Sequence, residues 1–217
     1  MKVMAINGSP RKTWNTATLL EKALAGAASV GAETRLVHLY DLDFRGCKSC
    51  FACKVRGGRS LGACAVRDGL TQALADAAEA DALILGSPIY FGAVTGEMKS
   101  FMERLMFPYL QYDVGYSSLF PRKIGTAFVY PMNVQEHEAE KLGYLPSLHN
   151  NERYMARIFG ACETLFSFDT YQFDDYAKVM ADGLNAERKA ARRREVFPED
   201  CEKAFALGVR LAMAAAS

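Results

Sequence analysis

Five short apolar runs, each separated from the next by a helix-length segment, constrain this chain more than any other feature. They are Lys2–Ile6 (KVMAI), Glu33–Leu39 (ETRLVHL), Asp81–Gly86 (DALILG), Lys123–Tyr130 (KIGTAFVY) and Cys162–Phe168 (CETLFSF). Their lengths and β-branched content suit strands. Helical periodicity covers Thr16–Ser29, a segment opened by Asp68 (DGLTQALADAAEA), one opened by Thr95 (TGEMKSFMERLMF), Arg153–Gly160 and Glu199–Ala215. Strands that alternate with helices imply an α/β protein, with a parallel sheet covered on both faces.

For five strands the expected order is 2-1-3-4-5, the doubly wound, flavodoxin-like arrangement. Its ligand crevice lies at the carboxyl ends of strands one and three, where the winding reverses. The loops there are Asn7–Asn15 and Ser87–Val94. With 217 residues, half of them hydrophobic, one core is affordable. The expectation is a single domain over 1–217, with a cysteine-rich loop (41–67) and an aromatic insertion (106–122). Phe107, Tyr109, Tyr112, Tyr116 and Phe120 make that insertion an interface, a lid or a satellite core. Pro131–Asn150 reads as a polar loop. A net charge of +1 gives no electrostatic case for nucleic acid or an anionic membrane. No apolar run approaches the roughly 18 residues of a membrane span. The chain enters a strand at once, without a leader pattern, so a cytoplasmic setting is expected.

The first loop is dense in donors. Gly8 permits close backbone approach. Ser9, Asn15 and Thr16 offer hydroxyl and amide groups, Arg11 adds charge, and Pro10 shapes the path. A strand running through such a loop into a helix start is how α/β proteins hold a phosphate. No G-x-G-x-x-G stands here, which argues against a dinucleotide turn. No G-K-[ST] follows, which argues against a nucleoside triphosphatase. A mononucleotide suits the loop. The plainer alternative is an ordinary turn with Thr16 as N-cap.

The second loop is Ser87-Pro88-Ile89-Tyr90-Phe91-Gly92. Pro and Gly fix an unusual path, and Tyr90 and Phe91 supply flat apolar surface. A redox flavin needs ring faces to lie against and backbone N–H groups near its polar edge.

Four of six cysteines fall between Cys47 and Cys64, spaced Cys47-x2-Cys50-x2-Cys53 and then a ten-residue gap. That resembles a cuboidal 4Fe–4S run more than paired zinc knuckles. Zinc and plain thiols stay open as alternatives. Lys48, Lys54, Arg56 and Arg59 would offset a cluster's charge. Cys162 and Cys201 read as small buried residues. Arg188, Lys189, Arg192, Arg193 and Arg194 read as a solvated helix face.

Three stretches together resemble the NAD(P)H-dependent FMN reductase family, and within it the iron–sulfur flavoprotein branch. They are G-S-P-R-K-x-x-N-T from Gly8, A-D-A-L-I-L-G-S-P-I-Y-F-G from Ala80, and T-G-E-M-K-S-F-M-E-R from Thr95. The resemblance is specific to about residue 105. It implies a flavodoxin-like fold, bound FMN, and a homodimer or homotetramer. It also implies NAD(P)H as electron donor and a small molecule or protein as acceptor. Carried over by motif, Ser9, Arg11, Asn15 and Thr16 hold the phosphate. Pro88, Ile89, Tyr90, Phe91 and Gly92 line the ring and ribityl chain. No catalytic side chain is implied, because the chemistry belongs to the flavin. Trp14 stands where a small residue is expected. The branch carries a similar cysteine motif with a shorter final gap, which implies single-electron relay from ferredoxin as an alternative. A flavodoxin-like binding module without catalysis is the third reading.

Overall fold

The computed structural model describes residues 1–216; Ser217, the last residue of the expected domain, lies outside them. Strands β1 (Lys2–Asn7), β2 (Glu33–His38) and β3 (Ala82–Gly86) alternate with helices α1 (Asn15–Ser29) and α2 (Leu70–Glu79). A small hairpin, β4 (Ile89–Tyr90) and β5 (Ala93–Val94), leads into α3 (Gly96–Met106). Then come β6 (Ile124–Pro131), α4 (Glu136–Lys141), α5 (Tyr144–Phe159), β7 (Gly160–Ser167), α6 (Ala186–Glu195) and α7 (Phe197–Ala216).

The main sheet has the order β2-β1-β3-β6-β7, and every pairing in it is parallel. Counting only its five strands, this is the expected 2-1-3-4-5. Register puts Asn7 opposite both His38 and Gly86. The loops after β1 and β3 therefore leave the same edge of the sheet, side by side.

Alternate residues of each strand feed two cores, as a two-residue period requires. Val3, Ala5, Ala82, Ile84, Ala127 and Val129 face α1 and α7. Met4, Ile6, Leu83, Leu85, Phe128 and Tyr130 face α2, α3 and α5. Helices α1 and α7 approach to backbone contact. A Cβ on Gly26 would lie 2.0 Å from the Phe205 carbonyl oxygen, and one on Gly208 would lie 1.7 Å from that of Ala23.

Three expectations need revision. The Pro131–Asn150 stretch is largely helical. Gln135 caps α4 through a reciprocal box with Glu138, and α5 begins at Tyr144 rather than Arg153. Pro146 falls in the first turn of α5, where a missing N–H costs little. The Ser87–Val94 loop contains the β4–β5 hairpin, and β7 starts at Gly160.

The aromatic insertion divides in two. Tyr109 and Phe120 pack edge-on against each other and against Phe159, so they form a satellite core. Tyr112, Val114 and Tyr116 are exposed. Among the described residues, no helix is long and apolar enough to cross a membrane.

Candidate functional site: a cleft at the switch point and a cysteine quartet

A cleft of about 100 Å³ opens where the loops after β1 and β3 meet. Ser9, Arg11, Asn15 and Thr16 line one side, and Pro88, Ile89 and Tyr90 line the other. Pro10 is exposed beside it. Ser9 is set by a tight local net: its N–H donates to Asn7 Oδ1 (2.9 Å), and its Oγ accepts from Arg11 N–H (3.1 Å). Thr95 caps α3 and its hydroxyl donates to Gly8 O at 2.7 Å, which ties the second loop to the first.

The start of α1 carries the electrostatic argument. Trp14, not Thr16, holds the N-cap position, and it makes no side-chain capping bond. The first turn contains no acidic residue. The first-turn N–H groups and the positive end of the helix dipole are therefore left for an anion. An FMN phosphate fits this donor set: uncapped N–H groups, the hydroxyls of Ser9 and Thr16, and the Arg11 guanidinium.

The hairpin places the flat surface. Its two-residue turn is Phe91–Gly92, with φ of +51° and +77°, the signature of a type I′ turn. Gly suits that conformation, whereas Phe91 is strained by roughly 1–2 kcal/mol. Phe91 is fully exposed at the tip. Phe91 and Gly92 stand outside the cleft walls, while Ile89 and Tyr90 form part of them.

Sequence reasoning missed the rest of the cleft. Pro131 ends β6 and Met132 and Asn133 follow it, and Thr170, Tyr171 and Gln172 follow β7. The Tyr171 carbonyl accepts from Asn15 Nδ2 (2.8 Å) and from Trp14 Nε1 (3.1 Å). Gln172 O accepts from Arg11 Nη1 at 2.6 Å. Arg11 also lies over the Trp14 ring, 3.7 Å from its centroid. Trp14 thus has a specific task, fastening the 170–172 segment to the loop.

The basic run is not a solvated face. Lys189 is fully buried, with its ammonium 2.5 Å from Asp169 and 2.5 Å from Asn133 O. Burial pulls the Lys189 pKa down against the pull of Asp169. Arg192 pairs with buried Asp200. Arg193 donates to Asn15 Oδ1 at 2.8 Å and lies 4.1 Å over Phe197. Asn15 is consequently used on both sides of its amide. It clamps α6 and the 170–172 segment rather than offering a free donor to the cleft. Arg188 and Arg194 stay exposed, as expected.

The four clustered cysteines come together elsewhere, beside the C-terminal half of α3. Cys47, Cys50, Cys53 and Cys64 line one cavity of about 20 Å³, walled by Phe107 and Pro108. Cys53 is buried and its thiol pKa is pushed up by burial, with Cys47 and Cys50 adding to it and Lys54 opposing. Arg104 Nε donates to Cys64 Sγ at 3.4 Å. Lys54 donates to the carbonyls of Phe107, Pro108 and Leu110, which locks the arm to the aromatic insertion. Among the described residues, no three His, Cys, Asp or Glu side chains converge on a single-ion position. A cube bound through four separate irons requires no such convergence. The donor set is four thiols around one cavity, with Lys48 and Arg104 as cations and Glu103 as a carboxylate in its wall, and four thiols so gathered fit an iron–sulfur cluster.

An iron–sulfur flavoprotein of Methanocaldococcus jannaschii is 40% identical over 104 residues, 48% of this chain and 51% of that protein. The chain matches about half the length of such curated relatives. An NAD(P)H:quinone oxidoreductase from Methanothermobacter marburgensis shares the fold, with a TM-score of 0.69 at 15% identity over 97% of this chain and 98% of that one. An archaeal flavodoxin shares it with a TM-score of 0.54 at 14% identity, covering both chains fully. Residues 1–140 match the family described as NADPH-dependent FMN reductase. That match runs through both loops of the cleft and the helix beyond the second, and on it the chain belongs to the NADPH-dependent FMN reductase family.

Proposed function

We propose that this chain is an FMN-dependent oxidoreductase that takes electrons from NAD(P)H and passes them to a flavin, a quinone or another small acceptor. The observation that carries the reading is the uncapped, acid-free start of α1 facing the cleft. When bound, FMN supplies a ring that accepts two electrons and releases them one or two at a time. The chain's own residues position it. Ser9, Arg11, Thr16 and the α1 N–H groups hold the phosphate, with Pro10 shaping the loop and Asn15 clamping it. Pro88, Ile89 and Tyr90 lie along the ring and ribityl chain, with Phe91 and Gly92 forming the rim. No side-chain acid or base is needed for the transfer. The 1–217 span works as one unit, assembled as a homodimer or homotetramer. Six free cysteines support a reducing, cytoplasmic setting.

The cavity shared by the four cysteines favours a second reading. There Cys47, Cys50, Cys53 and Cys64 hold a 4Fe–4S cluster that relays single electrons from ferredoxin to FMN. Anaerobic purification separates the readings. FMN is the expected flavin by mass spectrometry, and FAD as the main species would sink the phosphate-loop argument. Rapid bleaching of the flavin by NAD(P)H in stopped flow supports the first reading. Bleaching only by reduced ferredoxin, with about four irons per chain, supports the second.

A further inference from the structure

Arg104 occupies a place that globular proteins rarely give to arginine. It sits on α3 with its side chain 1% exposed. Every edge of the guanidinium is used. Nη1 donates to Asp68 Oδ2 (2.5 Å) and to Arg45 O (3.1 Å), Nη2 donates to Val66 O (3.1 Å), and Nε donates to Cys64 Sγ (3.4 Å). Three of these bonds close the two ends of the cysteine arm, at residue 45 and residues 66–68, against α3. The fourth goes to the sulfur of Cys64, one of the four clustered cysteines, in the same arm. Burying an ion pair costs several kcal/mol per ion before the attraction is regained, and apolar side chains usually fasten a loop as well. The polar solution suggests a demand other than stability.

We propose that Arg104 is a positioning residue for the cysteine quartet: it brings Cys64 across the ten-residue gap and sets an N–H against its sulfur. This rests on the reading that the quartet holds an iron–sulfur cluster. The longer final gap then has a physical answer. The arm between Cys53 and Cys64 folds back on itself, with the Gly62 N–H donating to Cys53 O at 3.1 Å, and Arg104 fixes its far end from outside the loop by holding Cys64. An N–H donor on a ligand sulfur, with a fixed positive charge behind it, stabilises the extra electron of the reduced cluster. The reduction potential is therefore higher than four cysteines alone would give.

The test uses the full chain, purified anaerobically. Arg104→Lys keeps a cation but loses the Nε–H fork. The pair Arg104→Met with Asp68→Asn replaces a buried ion pair by groups that need no counter-charge, a change that proteins often tolerate. FMN content and far-UV circular dichroism report that each variant is folded. Iron per chain and an EPR-monitored reductive titration with dithionite report the cluster. The expected result is folded, FMN-loaded variants that either lose most of their iron or shift the reduced-to-oxidised ratio at a fixed potential by about tenfold toward oxidised, which is about 59 mV for one electron. Full iron and an unchanged titration in both folded variants would overturn the role of Arg104 while leaving the cluster standing. Iron near zero in the wild-type protein would overturn the cluster reading, and this inference with it.

Discussion

Ser9 and Asn15 were equivalent phosphate donors on sequence grounds, and their surroundings separate them. Ser9 is held at the cleft through its N–H, which donates to Asn7 Oδ1, and its hydroxyl, which accepts from the Arg11 N–H. Ser9→Ala should weaken FMN by about 1.5–3 kcal/mol, the worth of a bond to a charged group, or roughly tenfold to a hundredfold in Kd. Riboflavin binding should hardly change, because only the phosphate is addressed. Asn15→Ala should behave differently. It frees the Tyr171 carbonyl and leaves Arg193 without its partner. Both flavins should weaken together, and trypsin should cut faster between 170 and 195. Isothermal titration with the two flavins, alongside timed proteolysis, distinguishes the cases; an equal, phosphate-specific loss in both variants would refute the clamp. The contacts of Asn15 are illegible in the sequence for a general reason. Its partners are the carbonyl of Tyr171 and an arginine 178 positions away. A main-chain oxygen leaves no mark in an amino-acid sequence, so Pro131–Asn133 and Thr170–Gln172 were invisible as a wall of the cleft.

Among the elements, β1, α1, β3 and α3 were legible because each shows a single clear period and ends on a turn or cap signal. Helix α5 was not. Its buried positions, Leu148, Met155, Ile158 and Phe159, are spread among polar residues and follow an early proline. The basic run of α6 reads in the sequence as a solvated face. In fact Lys189, Arg192 and Arg193 stand at i, i+3 and i+4, the spacing of a buried stripe, here built from cations whose partners are Asp169, Asp200 and Asn15. The α1–α7 contact gives the sharpest prediction at this scale. Gly208→Ala adds a methyl group where the Ala23 carbonyl oxygen already sits 1.7 Å from the ideal Cβ position. It should cost about 1–3 kcal/mol, or roughly 2–4 °C in Tm for each kcal/mol at this chain length. Gly96→Ala is the control, since nothing lies within 4 Å of its Cβ position. Calorimetry that found the two variants alike would contradict the packing described.

For the whole molecule, the fold was legible almost completely, because strand order and crossover handedness leave few alternatives for five alternating units. Assembly was legible only as an expectation from apolar surface. Phe51, Tyr112, Val114 and Tyr116 are 51%, 66%, 106% and 50% exposed, and monomers seldom leave such a patch open. A dimer or tetramer is expected by light scattering. Val114→Glu with Tyr112→Lys should shift it toward monomer; a wild-type monomer at micromolar concentration would remove the patch as an interface. Helix α3 joins the two sites across the molecule. Its cap, Thr95, is bonded to Gly8 at the cleft, and Arg104 is bonded to Cys64 at the quartet. Nine residues of α-helix make a rod of about 13 Å. The separation of the two sites is thus set by a ruler rather than by a flexible arm. Lengthening or shortening that rod by one residue would turn one end relative to the other by about 100°, so side chains on the solvent face of α3 can be exchanged, whereas its residue count cannot change without moving the quartet relative to the cleft.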